Sequence, residues 1–160
     1  MSVAFLKEES AEAASETQLP PREISPHANL VTETGLKALE TALAAAREAY
    51  QAANAIEDVN ERRRQQAGPL RDARYFAERL ASAQLTPPPA GSDVIAFGST
   101  VTFRREDGRV ETYRIVGEDE ADPKLGAISY VSPIARLLNG KSAGDVIVMA
   151  GKEIEIEAVG

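Results

Sequence analysis

The apolar positions change their period once along this chain. Leu36, Leu39, Leu43, Ala46, Tyr50 and Ala53 recur at alternating steps of three and four, the seam of a helix in a coiled coil. Thr32 stands just ahead of them as an N-cap, with Glu33 in the first turn at the positive end of the helix dipole. A second stripe through Val59, Arg63, Gln66, Leu70, Ala73, Ala77 and Leu80 has the same steps. Two stripes of similar length predict an antiparallel hairpin connected near 54–58. Helices of about 25 residues would extend about 37 Å. Arg63 and Gln66 are polar members of the seam. Gly68-Pro69 falls inside the second helix and predicts either a kink or a helix that restarts with Pro69 as its first residue.

From about Asp93 the period drops to two. Val94–Ala96, Ser99–Arg105, Val110–Val116, Ala127–Val131, Asp145–Met149 and Glu153–Val159 read as strands. Asp107-Gly108 is a hairpin turn. Ser132 and Pro133 open a short helix with Ile134, Leu137 and Leu138 on its apolar face and Gly140 as its stop. The expected fold is α+β, a helical coiled-coil hairpin followed by a small, mostly antiparallel sheet with one short helix. Phe103, Tyr113, Ile115, Ile134 and Leu137 are expected in its core.

Between and around these elements the composition divides the chain into four. Residues 1–29 carry Glu8, Glu9, Glu12, Glu16, Glu23 and three prolines and read as a flexible acidic tail. Residues 30–85 are the hairpin, 86–92 a stiff Pro-rich linker, and 93–160 the sheet domain. The 160 residues carry a net charge of −7, which argues against a protein that binds free nucleic acid through an overall basic face. With no cysteine and one histidine, His27, the chain has too few parts for thiol-ligated metal or a histidine-based triad. No apolar run approaches the roughly 20 residues that span a bilayer, and the N-terminus does not read as a signal peptide. A cytoplasmic protein without a membrane partner is expected.

The run Tyr113-Arg114-Ile115-Val116-Gly117-Glu118-Asp119-Glu120-Ala121-Asp122 resembles the C-terminal domain of the GreA/GreB transcription elongation factors. So does Ile128-Ser129-Tyr130-Val131-Ser132-Pro133-Ile134-Ala135-Arg136-Leu137-Leu138-Asn139-Gly140-Lys141, followed by Gly144-Asp145. The hairpin is similar to that family's through Leu36, Ala46-Arg47-Glu48, Gln65-Gln66 and Leu80-Ala81-Ser82-Ala83-Gln84. The resemblance implies an FKBP-like C-terminal domain that docks on bacterial RNA polymerase, and a coiled coil that enters the polymerase's secondary channel. It implies a factor that promotes cleavage of nascent RNA in backtracked complexes. Such a factor has no activity or cofactor of its own, because acidic residues at the hairpin tip share a Mg²⁺ with the polymerase.

The family's tip reads Gly-Asp-Leu-x-Glu-Asn-Ala-Glu-Tyr. Here the first Asp and Glu of that motif fall near Ala52 and Ala55. Glu57 and Asp58 are the nearest carboxylates, and they are the candidates for the cleavage chemistry and for holding Mg²⁺ in trans. Asp58 with Glu61 also reads as a capping box. Arg62, Arg63 and Arg64 are candidates for contact with the RNA 3′ end or with acidic polymerase surface, although three consecutive helical arginines point in different directions. Asp119, Asp122, Ser132 and Pro133 are the candidate polymerase-binding residues. The missing tip acids leave a second function open, a non-cleaving regulator that occupies the channel. A prolyl isomerase, suggested only by the FKBP-like fold, finds few aromatic residues to line a pocket. A seam satisfied within one hairpin makes the expected protein a monomer.

Overall fold

The computed structural model describes residues 18–91 and 93–160. The elements are β1 (Leu30–Val31), α1 (Glu33–Ala52), a 3-10 turn (Ala53–Ala55), α2 (Val59–Ser82), β2 (Gln84–Leu85), β3 (Thr100–Arg105) and β4 (Val110–Val116). A second 3-10 turn (Pro123–Leu125), β5 (Ala127–Ser129), α3 (Pro133–Leu138), β6 (Val146–Met149) and β7 (Lys152–Val159) follow. They fall into two compact units. One holds 18–26 and Leu39–Ser82, the other His27–Ala38 and Ala83–Gly160.

The first unit holds the helical hairpin from Leu39 onward, and the start of α1 belongs to the second. Thr32 caps α1, its Oγ1 accepting from the amide of Gly35 at 3.0 Å. Along the predicted stripe of α1, Leu39, Ala46 and Ala53 are buried and Leu36, Leu43 and Tyr50 half-buried. The stripe on α2 behaves differently. Val59 is 46% and Leu70 36% exposed, so the step of three and four marks a face of α2 that the hairpin does not bury throughout. Arg79, outside the predicted seam, is buried instead. The restart foreseen at Pro69 does not occur, since α2 runs through Gly68-Pro69 without interruption. Pro69 lacks the N–H that would bond the Gln65 carbonyl, a loss of one helical bond that a helix of 24 residues tolerates. Residues 18–26, read from sequence as part of a tail, belong to this unit. Arg22 pairs with Asp72 at 3.4 Å, and its guanidinium carbon lies 3.9 Å from the centroid of the Tyr75 ring, a cation–π contact.

The second unit is built on a five-stranded sheet in the order β5-β4-β3-β7-β6. The β3–β4 hairpin turns at the predicted Asp107-Gly108, where Gly108 takes a positive φ of 87° and Asp107 accepts from the Arg109 amide. β5 lies parallel to β4 and the remaining pairs are antiparallel. Val94 forms an isolated bridge to Ser142 rather than part of a strand, so the strand expected at Val94–Ala96 is absent; the amide of Ile95 is satisfied by the Lys141 carbonyl. Phe103, Ile115, Ile128, Leu138, Ile147, Ile154 and Ile156 form the core, with the Phe103 and Tyr113 rings stacked at 5.8 Å. Leu137, expected inside, is 38% exposed because α3 turns Ala135 and Leu138 inward. Ser132 caps α3 through the Ala135 amide, and Pro133 is its first residue.

This unit also contains a small parallel pair that the sequence pattern does not announce. Leu30 and Val31 of β1 pair with Gln84 and Leu85 of β2. The backbone of β1 passes so close to Gly117 that a Cβ there would lie 2.4 Å from the Leu30 carbonyl oxygen. Glycine at 117 is therefore a steric requirement. Gly117→Ala is expected to destabilise the protein by about 1–3 kcal/mol through overpacking against backbone. Urea unfolding followed by circular dichroism measures this, and an unchanged midpoint would mean that β1 moves away without penalty.

Candidate functional site

The tip of the hairpin is a compact, hydrogen-bonded turn. α1 ends in the 3-10 turn at Ala53–Ala55, whose amide-rich close is completed by the Ile56 N–H bonding the Ala53 carbonyl at 3.1 Å. α2 then starts at Val59 under the cap of Asp58, whose Oδ1 accepts from the Glu61 amide at 2.8 Å. This is the capping geometry expected of the Asp58-x-x-Glu61 spacing. Glu61 does not reach back to complete the box. Its carboxylate accepts from Arg64 at 3.0 and 3.1 Å and from the Gln65 amide group at 3.0 Å. Gln66 crosses from α2 to the end of α1, donating to the Tyr50 carbonyl at 3.1 Å and to Asn54 Oδ1 at 2.8 Å. Its polar place in the seam is thus explained: it satisfies carbonyl and amide acceptors where α1 ends.

Of the two candidate catalytic carboxylates, Glu57 is exposed and makes no hydrogen bond or ion pair among the described residues, and Asp58 is exposed but occupied as the cap. Two adjacent carboxylates, one of them bonded to a helix amide, do not make a Mg²⁺ site within this chain, since that ion takes six oxygens in strict octahedral order. Among the described residues no group of three or more acidic or histidine side chains is placed to hold a metal.

The three arginines after the tip separate. Arg62 Nη1 donates to the Ile56 carbonyl at 3.3 Å and so helps close the tip turn. Arg64 is paired with Glu61. Arg63 makes neither kind of bond among the described residues and lines a groove with Arg71 and Arg74 further along α2. The structure therefore does not bring Arg62, Arg63 and Arg64 to one surface; the group that shares a surface is Arg63, Arg71 and Arg74.

In the second unit, the candidate polymerase-binding residues are distributed over two loops. β4 and β5 are parallel, with Val116 beside Ser129, so the chain leaves both strands at the same end of the sheet. Asp119 is exposed on the turn after β4, and Ser132 and Pro133 follow β5. Asp122 lies beside the start of β5, where its carboxylate accepts from the Lys124 amide at 3.2 Å and caps the 3-10 turn. Asp119 with Ser132 and Pro133 thus share one end of the sheet, and Asp122 serves the local turn. Sequence reasoning missed Glu120. Its Oε2 accepts from the buried hydroxyl of Thr32 at 2.7 Å, so one acid of this loop is spent on the cap of α1. Nothing in the local sequence of Glu120 signals that partner, 88 residues away.

The Glu61 carboxyl is held below the usual value of 4.5, first by the Gln65 side-chain bond, then by the hydrogen bond and charge of Arg64. A carboxyl lowered in the folded chain contributes stability above its ordinary pKa and loses it as pH falls through the lowered one. Carbon-detected titration is expected to give Glu61 a midpoint below 4.5, with the tip fraying as Glu61 protonates; a midpoint at the ordinary value would remove the network from solution. Asp58→Ala is expected to cost about 1 kcal/mol and to raise hydrogen exchange in the first turn of α2, whereas unchanged exchange would mean that the cap is idle.

Comparison with known proteins now bears on these surfaces. The family described as transcription elongation factor, GreA/GreB, C-term matches residues 89–159. Transcription elongation factor GreA of Alkalilimnicola ehrlichii is 46% identical over 86 residues, which cover 51% of this chain and 54% of that protein. Transcription elongation factor GreB of Neisseria meningitidis serogroup B is 39% identical over 95 residues, covering 56% and 58% respectively. The chain thus spans about half the length of the curated relatives it matches. A solved structure of GreA factor homolog 1 (Gfh1) of Thermus thermophilus aligns over 84% of this chain and 99% of that one, with 23% identity and a TM-score of 0.38. At that score the likeness carries no weight.

Proposed function

We propose that this chain, whose residues 89–159 match the family described as transcription elongation factor, GreA/GreB, C-term, binds bacterial RNA polymerase and regulates elongation by occupying the secondary channel with its hairpin. In this reading it does not supply carboxylates for transcript cleavage. The match over residues 89–159 carries the assignment to the polymerase. Asp119, Ser132 and Pro133, at one end of the sheet, are the docking residues in this reading. A rigid Ser-Pro cap beside an exposed acid presents fixed geometry and charge to a basic partner surface.

The tip supports occupancy over catalysis. A second Mg²⁺ at a polymerase active centre needs carboxylate oxygens that are free to coordinate. Asp58 spends one on the cap of α2, and Glu61 is paired with Arg64 and accepts a hydrogen bond from Gln65. The alanines at 52, 53 and 55 bring no ligand. The hairpin nevertheless keeps two helices of 20 and 24 residues, about 30 and 36 Å at 1.5 Å per residue, a body able to fill a channel. The protein then acts through the polymerase rather than as an enzyme. The free carboxylate of Glu57 beside Asp58 favours the second reading, cleavage assisted by displaced acids and a Mg²⁺ whose other ligands are the polymerase's.

Backtracked elongation complexes separate the two. The protein is expected to bind polymerase, to leave RNA 3′-end shortening at its factor-free rate, and to slow shortening by a cleavage-proficient factor of the same family in a dose-dependent way. Faster shortening with this protein, lost in Glu57→Ala/Asp58→Ala while binding persists, would establish the cleavage reading instead. Absence of binding would remove both.

A further inference from the structure

The sheet of the second unit ends on β6, and among the described residues no strand pairs with its other side. β6 turns back into β7 through Ala150 and Gly151, both at positive φ, a two-residue hairpin loop that sets Met149 opposite Lys152. Such a loop makes Met149–Lys152 and, two steps on, Ile147–Ile154 the pairs that exchange hydrogen bonds. The bond from the Ile156 amide to the Asp145 carbonyl at 2.9 Å continues that alternation. Val146 and Val148 therefore turn their N–H and C=O groups to the open edge. Their side chains stand on the outer face of the sheet, 51% and 58% exposed, while Ile147 between them is buried. Free edges are commonly blunted by proline, lysine or a bulge. β6 has none of these: it reads Val146-Ile147-Val148-Met149, and its register with β7 is unbroken. Across from it on the same outer face stand Glu155, opposite Val146, and Glu153, opposite Val148. Both are exposed, and neither carboxylate has an ion pair among the described residues, whereas Glu157 is held by Arg104 at 2.7 Å.

We propose that β6 is a docking edge for an extended segment of another protein, added antiparallel to the sheet and carrying lysine or arginine at alternate positions. The open edge supplies the main-chain bonds, since a residue set opposite Val146 or Val148 exchanges both N–H and C=O bonds with it. The same residue places its side chain on the outer face, over that valine. Two strand spacings put it about 10 Å from β7. A basic side chain there lays its methylene stem on the valine and carries its cation to Glu155 or Glu153. One residue type thus matches both the apolar and the charged part of the surface. An acidic or neutral segment would leave the two carboxylates without a counter-charge. A second copy of this chain is a poorer match. Its β6 brings no cation, its Glu153 and Glu155 come with it, and each chain carries a net charge of −7. The residues assigned above to polymerase docking follow β4 and β5, toward the opposite edge of the sheet. The edge proposal therefore goes beyond the polymerase reading, and its test contains no polymerase.

The probe is a capped octapeptide of alternating lysine and valine, titrated into the isotope-labelled full-length chain and followed by nuclear magnetic resonance. At saturation the Val146 and Val148 amide protons are expected to shift downfield and to exchange about tenfold more slowly, as a gained hydrogen bond requires. In the docked peptide the lysine amides face β6 and the valine amides face away. N-methylation of the lysine amides is therefore expected to abolish binding, and N-methylation of the valine amides to leave it. Glu153→Gln/Glu155→Gln is expected to weaken binding about threefold to tenfold, with an unchanged circular dichroism spectrum. The proposal fails if the Val146 and Val148 amides do not respond, if the lysine-methylated peptide still binds, or if the glutamine variant binds as the parent does. Equal binding of an alternating glutamate and valine peptide would also overturn it. So would slowed exchange at these amides that grows with protein concentration in the absence of peptide, because the occupant of the edge would then be a second chain.

Discussion

The side chain of Thr32 fixes where the helical part of this protein begins. Its hydroxyl oxygen accepts from the Gly35 amide and its hydroxyl proton goes to Glu120, so one buried group satisfies a helix N-terminus and a loop of the sheet domain together. Neither bond is available to a residue that lacks both lone pairs and a proton on one short side chain. The surroundings conform to it. Gly35 leaves room for the Glu120 carboxylate, which a Cβ would approach to 3.0 Å, and Gly117 leaves room for the strand leading into Thr32. The first turn of α1 consequently belongs to the C-terminal unit, and the rest of that helix to the other.

What the sequence makes legible here is what repeats or caps. The three-and-four stripe locates α1, the Asp107-Gly108 turn locates the β3–β4 hairpin, and Ser132-Pro133 locates the start of α3, because each is a local rule acting over a few residues. The illegible features are those in which distant residues meet. Glu120 with Thr32, β1 with β2, and Arg22 with Tyr75 have no periodic trace. The stripe on α2 shows the same boundary from the other side. Periodicity correctly identifies the face of Arg63 and Leu70, but a period says which residues share a face and not what covers it. Leu137 illustrates the finer error, since the six-residue helix turns Ala135 and Leu138 fully inward and packs Ile134 against the core, which leaves Leu137 on the outer side.

At the hairpin tip the candidate residues were readable and their employment was not. A carboxylate at Asp58 suits a helix cap and a metal equally by type, and spacing to Glu61 favours the cap. Coordinates add the competitors: the Glu61 amide for Asp58, Arg64 and Gln65 for Glu61, the Ile56 carbonyl for Arg62. Groups that hold a tight turn together are drawn from the same short list as groups that do chemistry, and here the turn has claimed most of them. The Asp119–Asp122 loop repeats the pattern, with Glu120 and Asp122 engaged internally.

The pairing of Leu30 with Gln84 has a kinetic consequence. It joins residues 54 positions apart, and the intervening chain is the helical hairpin, so the C-terminal unit is discontinuous in sequence. Its first strand cannot be added until that long loop has been closed, an entropic barrier that grows only slowly with loop length but must be met before the contact repays it. A chain cut within the hairpin would separate β1 from its partner strand.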